Sequence, residues 1–267
     1  MSTTEIPAAL VKELRDLTGA GMMDCKRALV ESGGDLEAAR QSLREKGLAE
    51  AGKRADRETS EGKVVSRVRD GRGGIVAVGC ETEPVSGNEE FLEFAQHVLD
   101  LVWEEGPDAA SSLEDERVEL VAKLGENVVV VGSERYEASD GEVVSDYIHP
   151  PAQKIGVLVQ ARATPELARM LAMHIAAAKP VYASRDDVPE AEVAAERAVY
   201  ERLPEVESKP EEVRGKIVEG MLAKRFFARS VLLDQAWVHD PNLTVAQALA
   251  ERDAEVRAFV RYNVGRE

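Results

Sequence analysis

The two cysteines and four histidines are the residues of this sequence whose types most readily support catalysis or metal binding. Cys80 ends an apolar run and His97 lies in the amphipathic segment after it, so a strand end and a helix could bring thiol and imidazole together. An imidazole base beside a thiol is the arrangement of a cysteine nucleophile. No nearby asparagine or aspartate is placed to orient His97, and a cysteine at a strand end is usually a small buried hydrophobe. We therefore expect Cys80 to be structural, with a cysteine-dependent enzyme as an alternative.

Histidines offer a second kind of chemistry, because a pair of imidazoles can bind a metal ion. His97 and His174 occupy matching places in two similar segments, whereas His149 and His239 stand in different contexts. The sequence lacks the cysteine and histidine spacing of a zinc site, and no glycine-rich phosphate loop follows a predicted strand. We therefore predict no metal and no cofactor, and we expect His97 and His174 to lie at a subunit or partner surface.

The segment between the Cys80 strand and the His97 helix holds almost nothing that can make or break covalent bonds. Its central residues, called here the 82–87 loop, are Thr82, Glu83, Pro84, Val85, Ser86 and Gly87. Ser86 and Glu89 have the spacing of a capping box, and Asn88 is a rival N-cap, so the start of the following helix should hold the loop stiffly.

The first part of the chain has helical patterning. Residues 5–47 are predicted to form three short helices separated by glycines, the third of which ends at Gly47. Because Met22 and Met23 cannot both face one small core, we expect one to be buried and the other exposed. The basic stretch 53–60 that follows is predicted to be a solvated linker between modules.

Strands and amphipathic helices follow each other from residue 62 onwards. The predicted strands are 64–68, 75–78, 128–131, 157–160 and 256–264. The segments leading to His97 and His174 resemble each other, and so do residues 126–131 and 255–260, which indicates two repeated α+β units. Residues 190–233 interrupt the second unit and predict a helical hairpin with an apolar stripe on its second helix.

Composition limits the classes of partner. The 267 residues carry a formal net charge of −16, and such a surface repels phosphate backbones and anionic lipid, so neither direct nucleic-acid contact nor a membrane is predicted. The chain has no apolar run of about 18 residues, and residues 1–5 lack the basic and apolar regions of a signal peptide. Two cysteines in a chain of this length indicate a reducing compartment, so we expect a cytoplasmic protein.

The stretch LVKELRDLTGAGMMDCKRAL, residues 10–29, resembles the opening of the bacterial elongation factor Ts family. Further resemblances follow in order along the chain: ETEPV (81–85), MHIAA (173–177), VEGMLAK (218–224), LLDQ (232–235) and FVRY (259–262). Together these segments extend over nearly the whole chain.

Members of this family are guanine-nucleotide exchange factors for the translational GTPase elongation factor Tu, so the resemblance implies nucleotide exchange without covalent catalysis. It also implies a ubiquitin-associated-like three-helix module at residues 1–54 and a core of two repeated α+β subdomains. The first subdomain is expected at 55–135, and the second, which contains the hairpin, at 136–267. The hairpin could bind the GTPase, project from the fold or dimerise the chain, so a homodimer stays open.

The resemblance also implies which residues contact the GTPase. The family's strand-to-helix loop usually reads Thr-Asp-Phe-Val and disturbs the magnesium site of the bound nucleotide; this chain has Thr82, Glu83, Pro84 and Val85 at those positions. The longer acid keeps the negative charge, but the proline removes the aromatic wedge and leaves a rigid apolar ring. The other expected contacts are Lys12, Met22, Met23 and Lys26 in the N-terminal module, and His97 and His174 in the core.

An adaptor is the alternative function. Its helical module would bind a peptide or a ubiquitin-like fold while the α+β core served as a passive scaffold. That alternative predicts tight binding without a change in the rate of nucleotide release. A cysteine-dependent enzyme, in contrast, would lose its activity in a Cys80→Ser variant.

Overall fold

The structure, a computed structural model, describes residues 6–265 apart from the side chains at positions 48 and 50. Residues 1–5, on which the prediction of no signal peptide depends, lie outside the described residues. Within the described range, no helix combines the length and the apolar character that crossing a bilayer requires.

Helices make up most of the chain. Their bounds are α1 Ala8–Thr18, α2 Met22–Glu31, α3 Leu36–Arg54, α4 Glu83–Ser86, α5 Glu89–Glu105, α6 Glu114–Leu124, α7 Pro165–Ala178, α8 Glu190–Glu201, α9 Pro204–Glu207, α10 Glu211–Met221, α11 Ala228–Ser230 and α12 Val245–Ala250. Short 3₁₀ turns lie at Pro107–Leu113, Arg185–Asp187 and Leu232–Asp234, and a π-helical turn, Leu222–Phe227, joins α10 to α11.

The described strands form two three-stranded sheets and one two-stranded sheet. Their bounds are β1 Glu61–Arg69, β2 Arg72–Cys80, β3 Val128–Glu137, β4 Val143–Ile148, β5 Ile155–Arg162, β6 Ala236–Trp237, β7 Asp240–Thr244 and β8 Glu255–Asn263. Within residues 6–265 the strand orders are β1-β2-β3, β4-β5-β8 and β6-β7. The mixture of helices and sheets is the predicted α+β fold.

The N-terminal helices pack around a small core of their own. Val11, Leu14, Cys25, Ala28, Leu29 and Ala39 form this cluster of buried side chains. Gly19 ends α1 in a left-handed conformation with φ 66°, which favours glycine, and Asp35 caps α3 by accepting from the Ala38 N–H at 3.0 Å. The sequence therefore places the breaks between these helices correctly.

The third helix does not end at Gly47, as the sequence predicted, but continues to Arg54. Gly47 faces α6, where an added Cβ would lie 2.9 Å from the Ala122 Cβ, so this glycine permits close helix contact rather than ending the helix. Ala51 is buried within the core of the first α+β unit. The stretch 53–60 is thus part helix, and its prediction as a solvated linker is wrong at its start.

Two copies of a strand–strand–helix–strand arrangement account for the similarity of the two halves. In the first copy, β1 and β2 form a hairpin through Asp70 and Gly71, whose positive φ values of 51° and 77° suit a tight turn. In the second, β4 and β5 pair antiparallel, with Val143 opposite Ala161. α5 follows β2 and α7 follows β5, and β3 and β8 close the respective sheets. The repeat predicted from residues 126–131 and 255–260 therefore corresponds to β3 and β8.

The junctions between strand and helix differ in length between the copies. Residues 163–164 suffice to connect β5 to α7, whose first turn is capped by Thr164 accepting from the Leu167 N–H at 3.3 Å. In the first copy residues 81–88 separate β2 from α5 and include the short helix α4. The 82–87 loop is thus an extension that the second copy lacks.

Helices α8, α9 and α10 form the predicted hairpin and carry a core of their own. Val188, Tyr200, Val206, Val218, Leu222, Phe227 and Val231 are its buried members. Val218 and Leu222 belong to the apolar stripe that the sequence indicated, whereas Val213 from the same stripe is exposed. Packing against this cluster explains how α10 persists although it contains Gly215 and Gly220.

Contacts between Cα atoms divide the chain into two compact units. The first comprises the chain up to Val65, Val76–Ser133 and the end from Asn263. The second comprises Ser66–Ile75 and Glu134–Tyr262. The domain boundaries proposed after residues 54 and 135 stay predictions, and the second of them falls inside β3.

Candidate partner-contact site

The 82–87 loop presents its acidic and proline residues to solvent. Thr82 is the N-cap residue of α4, and the side chains of Glu83 and Pro84 are exposed. Val85 points back against the core of the first unit, and Ser86 is buried. The loop is therefore a folded turn of helix, anchored through Val85 and Ser86, with Glu83 and Pro84 at its accessible surface.

Asn88 is the N-cap of α5, which decides between the two caps that the sequence allowed. Its Oδ1 accepts from the Glu90 N–H at 2.9 Å and from the Phe91 N–H at 3.3 Å. The Ser86 hydroxyl instead donates to the Glu83 carbonyl at 2.8 Å, so Ser86 and Glu89 do not form a capping box. The loop is held at its far end by a capped helix, as predicted.

Glu126 holds the near end of the loop. Its carboxylate accepts from the Glu81 N–H at 3.2 Å, the Thr82 N–H at 3.0 Å and the Thr82 hydroxyl at 2.6 Å. Cys80 adds a further bond, because its thiol donates to the Thr82 carbonyl at 3.3 Å. Hydrogen bonds to a charged acceptor are stronger than neutral ones, so the strand end and the first loop residue are fixed.

Asn127 connects the segment after α3 to the start of β3 and to Glu81, the residue before the loop. Its buried side-chain amide donates to the carbonyls of Ala55 at 3.3 Å and Arg57 at 2.9 Å. The Asn127 N–H donates to Glu81 at 2.7 Å, and Arg57 forms an ion pair of 3.4 Å with the same carboxylate. The 55–57 segment is therefore attached to the β3 start and to the residue that precedes the loop.

Cys80 and His97 have separate partners. Cys80 is buried and bonded to the Thr82 carbonyl, as described above. His97 lies on the exposed face of α5, where its Nδ1 is 2.8 Å from Glu116 Oε2. The thiol and the imidazole therefore point into different surroundings, which does not support a cysteine nucleophile activated by His97.

His174 is not at a surface, and that part of the prediction is wrong. The side chain is fully buried, stacks on Trp237 with ring centres 5.1 Å apart, and has its Nε2 3.0 Å from Gln235 Oε1. Its Nδ1 accepts from the Val238 N–H at 3.2 Å. The apolar packing of α7 encloses the ring, so His174 is a core residue and only His97 remains available to a partner.

Both methionines of α2 are exposed, rather than one of them as predicted. Met22 is 48% exposed and Met23 is 67% exposed. The small core takes Cys25, Ala28 and Leu29 from this helix instead, which leaves the methionines on the outer side. Lys12 and Lys26 are exposed as well, so the predicted module contacts are all accessible.

The 82–87 loop and α2 present exposed side chains that suit recognition of another molecule. Among the residues that the structure describes, no cluster of three or more histidine, cysteine or acidic side chains could hold a metal ion. What the site does offer is a held loop with an exposed carboxylate and an exposed proline ring, and a helix with two exposed methionines. Methionine side chains adapt readily to a partner surface.

Comparisons with known proteins identify the family. The model of the family described as Elongation factor TS matches residues 81–266. An elongation factor Ts from Erwinia tasmaniensis is 40% identical over 266 residues, which cover 98% of this chain and 92% of that protein. The chain belongs to the elongation factor Ts family. Members from Halorhodospira halophila and Vibrio cholerae are 44% and 40% identical, and in each case the match covers 97% of this chain and 92% of the relative.

Membership of the elongation factor Ts family makes this protein a translation elongation factor. The relatives match nearly the whole chain, so they include the N-terminal helices, which lie outside the 81–266 match. The resemblance singles out the 82–87 loop but neither Glu126 nor Asn127, whose hydrogen bonds hold Thr82 and Glu81 at the start of that loop. The signal that could have found them is their position beside a predicted strand start, immediately after Gly125, which ends α6 with φ 75°.

Proposed function

We propose that this protein is a guanine-nucleotide exchange factor for elongation factor Tu. It binds the GDP-loaded GTPase, loosens the magnesium and phosphate site with the 82–87 loop, and so speeds GDP release and the loading of GTP. The observation that carries the proposal is the loop itself: Glu83 and Pro84 are exposed on a turn that is held at both ends. Membership of the elongation factor Ts family supports elongation factor Tu as the partner of this loop.

The physical basis of exchange is linkage between two binding equilibria. A factor that binds the empty GTPase more tightly than the loaded one weakens the nucleotide by the same coupling free energy. Each tenfold loss of nucleotide affinity needs ~1.4 kcal/mol of this coupling. A carboxylate brought near a magnesium ion can compete for it or for the groups that hold it, which gives Glu83 a role without any covalent step.

The N-terminal module supplies docking in this proposal. Met22, Met23 and the lysines Lys12 and Lys26 would lie against the GTPase, and His97 would contribute from the first unit. The protein would act in the cytoplasm, where translation takes place. We propose no direct contact with nucleic acid or a membrane, since the charge of −16 disfavours both.

Release of a fluorescent GDP analogue from the GTPase tests the proposal. Added in substoichiometric amounts, the protein should accelerate release, because an exchange factor turns over. No acceleration at micromolar protein, with a GTPase shown to be active, would overturn it. Tight binding without acceleration would favour the adaptor instead.

Substitutions in the loop test its part in exchange. Glu83→Gln and Pro84→Ala should each lower the nucleotide off-rate at saturating factor by about tenfold, which corresponds to ~1.4 kcal/mol of activation free energy for release. Affinity for the nucleotide-free GTPase, measured separately, should change less. Glu93→Gln, which alters an exposed carboxylate on α5, serves as the matched control. If both loop variants keep the wild-type saturated rate, the loop does not loosen the magnesium.

A further inference from the structure

The corner between α6 and β3, residues 123–127, contacts several segments of the first unit, one of which is the start of the 82–87 loop. Lys123 forms an ion pair with Glu90 in the first turn of α5, and its aliphatic chain packs against Gly19. Glu126 accepts the bonds from Glu81 and Thr82, and Asn127 holds the 55–57 segment. One short corner thus contacts the module, the start of α5 and the start of the loop.

We propose that Glu126 is a positioning residue for exchange: it sets where the 82–87 loop stands, and so where Glu83 and Pro84 meet the partner. This inference rests on the proposed function and goes beyond it, because Glu126 need not touch the GTPase. Its carboxylate oxygens already accept hydrogen bonds from the Glu81 N–H, the Thr82 N–H and the Thr82 hydroxyl.

Geometry explains why this carboxylate controls the loop. Thr82 is the N-cap of α4, and Glu83 and Pro84 follow it directly, so fixing the backbone at Thr82 sets the direction in which α4 leaves β2. A neutral side chain at position 126 would hold the Glu81 and Thr82 N–H groups more weakly, and an absent one would leave them to water, so the range of loop orientations would widen. In enzymes, misplacement of a positioned group by about 1 Å can cost ~100-fold in rate, and we expect the placement of Glu83 and Pro84 to affect exchange in the same direction.

The corner itself is rigid enough to act as a support. Gly125 ends α6 in the left-handed conformation, its N–H donating to the Val121 carbonyl at 3.0 Å. Asn127 is buried and uses its side-chain amide on two backbone carbonyls, so the residue after Glu126 cannot shift freely. Glu126 therefore lies between Gly125 and Asn127, whose positions are held by hydrogen bonds, and its side chain contacts the first residue of the loop.

The experiment compares Glu126→Gln and Glu126→Ala with wild type in the full chain. Glutamine keeps one neutral acceptor oxygen and alanine keeps none, so the effects should increase in that order. Hydrogen exchange of the peptide covering residues 80–88, measured on the free protein, should become about tenfold faster in the alanine variant. Thermal unfolding checks that both variants fold, and Glu93→Gln is the control.

Exchange kinetics supply the functional readout. At saturating factor the nucleotide off-rate should fall about tenfold in Glu126→Ala and less in Glu126→Gln, while affinity for the nucleotide-free GTPase changes less than about twofold. A merely structural role would lower stability and affinity without this separation. Unchanged loop protection or an unchanged saturated rate in Glu126→Ala would overturn the inference. Failure of the proposed function would show differently, because wild-type protein would then not accelerate release.

Discussion

At the scale of single residues, the burial of His174 makes the stability of the fold depend on pH. Gln235 donates to the carbonyls of Ala178 and Arg229, so its Oε1 faces the His174 Nε2, which therefore carries the ring proton. The Val238 N–H occupies Nδ1. Protonation of the ring would place a hydrogen on Nδ1, towards which the Val238 N–H already points. Burial lowers the pKa of His174 below its ordinary value.

The sign of the resulting pH dependence follows from the lowered pKa. Above about pH 6.5 His174 is neutral in both the folded and the unfolded chain, so its titration does not lower the free energy of unfolding there. As pH falls below that value, the unfolded chain takes up the proton first, so stability declines by up to about 1.4 kcal/mol per pH unit until the folded pKa is reached. Urea unfolding between pH 7.5 and 5 should show a steeper decline for wild type than for His174→Asn. Equal slopes would contradict the prediction.

Residues also show what the sequence can predict about the site. Asn88 was recognisable as a cap because its bonds go to residues two and three positions ahead. Glu126 was not, because its partners Glu81 and Thr82 are distant in sequence and become neighbours only when β3 joins β2 in the sheet. Local bonds can be predicted from spacing, whereas bonds between distant segments depend on the strand order.

At the scale of elements, the outer face of α2 is the surface on which docking can be tested. Met23 is two-thirds exposed, and Lys26 and Val30 follow it at three and seven positions, which places them along one side of the helix. Met23→Ala should weaken binding to the GTPase by ~1–2 kcal/mol if it is an interface anchor. Calorimetric titration measures the affinity, and the melting temperature should stay unchanged because little buried surface is lost.

A substitution away from α2 serves as the control for Met23→Ala. Val238→Ala alters an exposed apolar side chain of similar accessibility in the second unit. Substitution is a sharper test than deletion of residues 1–54, because Ala51 of α3 is part of the first unit's core and deletion would expose that core. Equal affinities of Met23→Ala and wild type would exclude this face from docking.

The end of α3 shows why helix boundaries were harder to predict than helices. A glycine after a periodic stretch is typical of a helix end, and Gly47 was interpreted in that way. In the fold it faces Ala122 at a distance that no larger residue allows, and Arg44 reaches Asp115 of α6 at 3.0 Å. Helix propensity and tertiary contact thus favour opposite roles for the same residue, and the sequence reveals only the first.

At the scale of the whole molecule, separate cores predict regional unfolding. Leu99 belongs to the core of the first unit and Leu171 to that of the second, and both are fully buried. Leu→Ala at either position should cost about 2–5 kcal/mol. Hydrogen exchange followed by mass spectrometry should show faster exchange mainly in the unit that carries the substitution, since multi-unit chains depart from two-state unfolding. Uniform acceleration throughout the chain by either variant would contradict this.

The repeated architecture was predictable in outline. Apolar runs ahead of the His97 and His174 helices identified β2 and β5, because strands buried on both faces are continuously apolar. β4 was missed because Ser145 and Asp146 interrupt its apolar pattern, and β6 is too short to show periodicity.

The unequal junctions of the two copies have an evolutionary consequence. Both copies hold the same strand and helix, yet one connects them through residues 163–164 and the other through residues 81–88. A duplicated scaffold that accepts either length lets one junction lengthen while its twin stays short. If the longer junction contacts elongation factor Tu as proposed, selection at Pro84 acts on the fit to that surface as well as on folding.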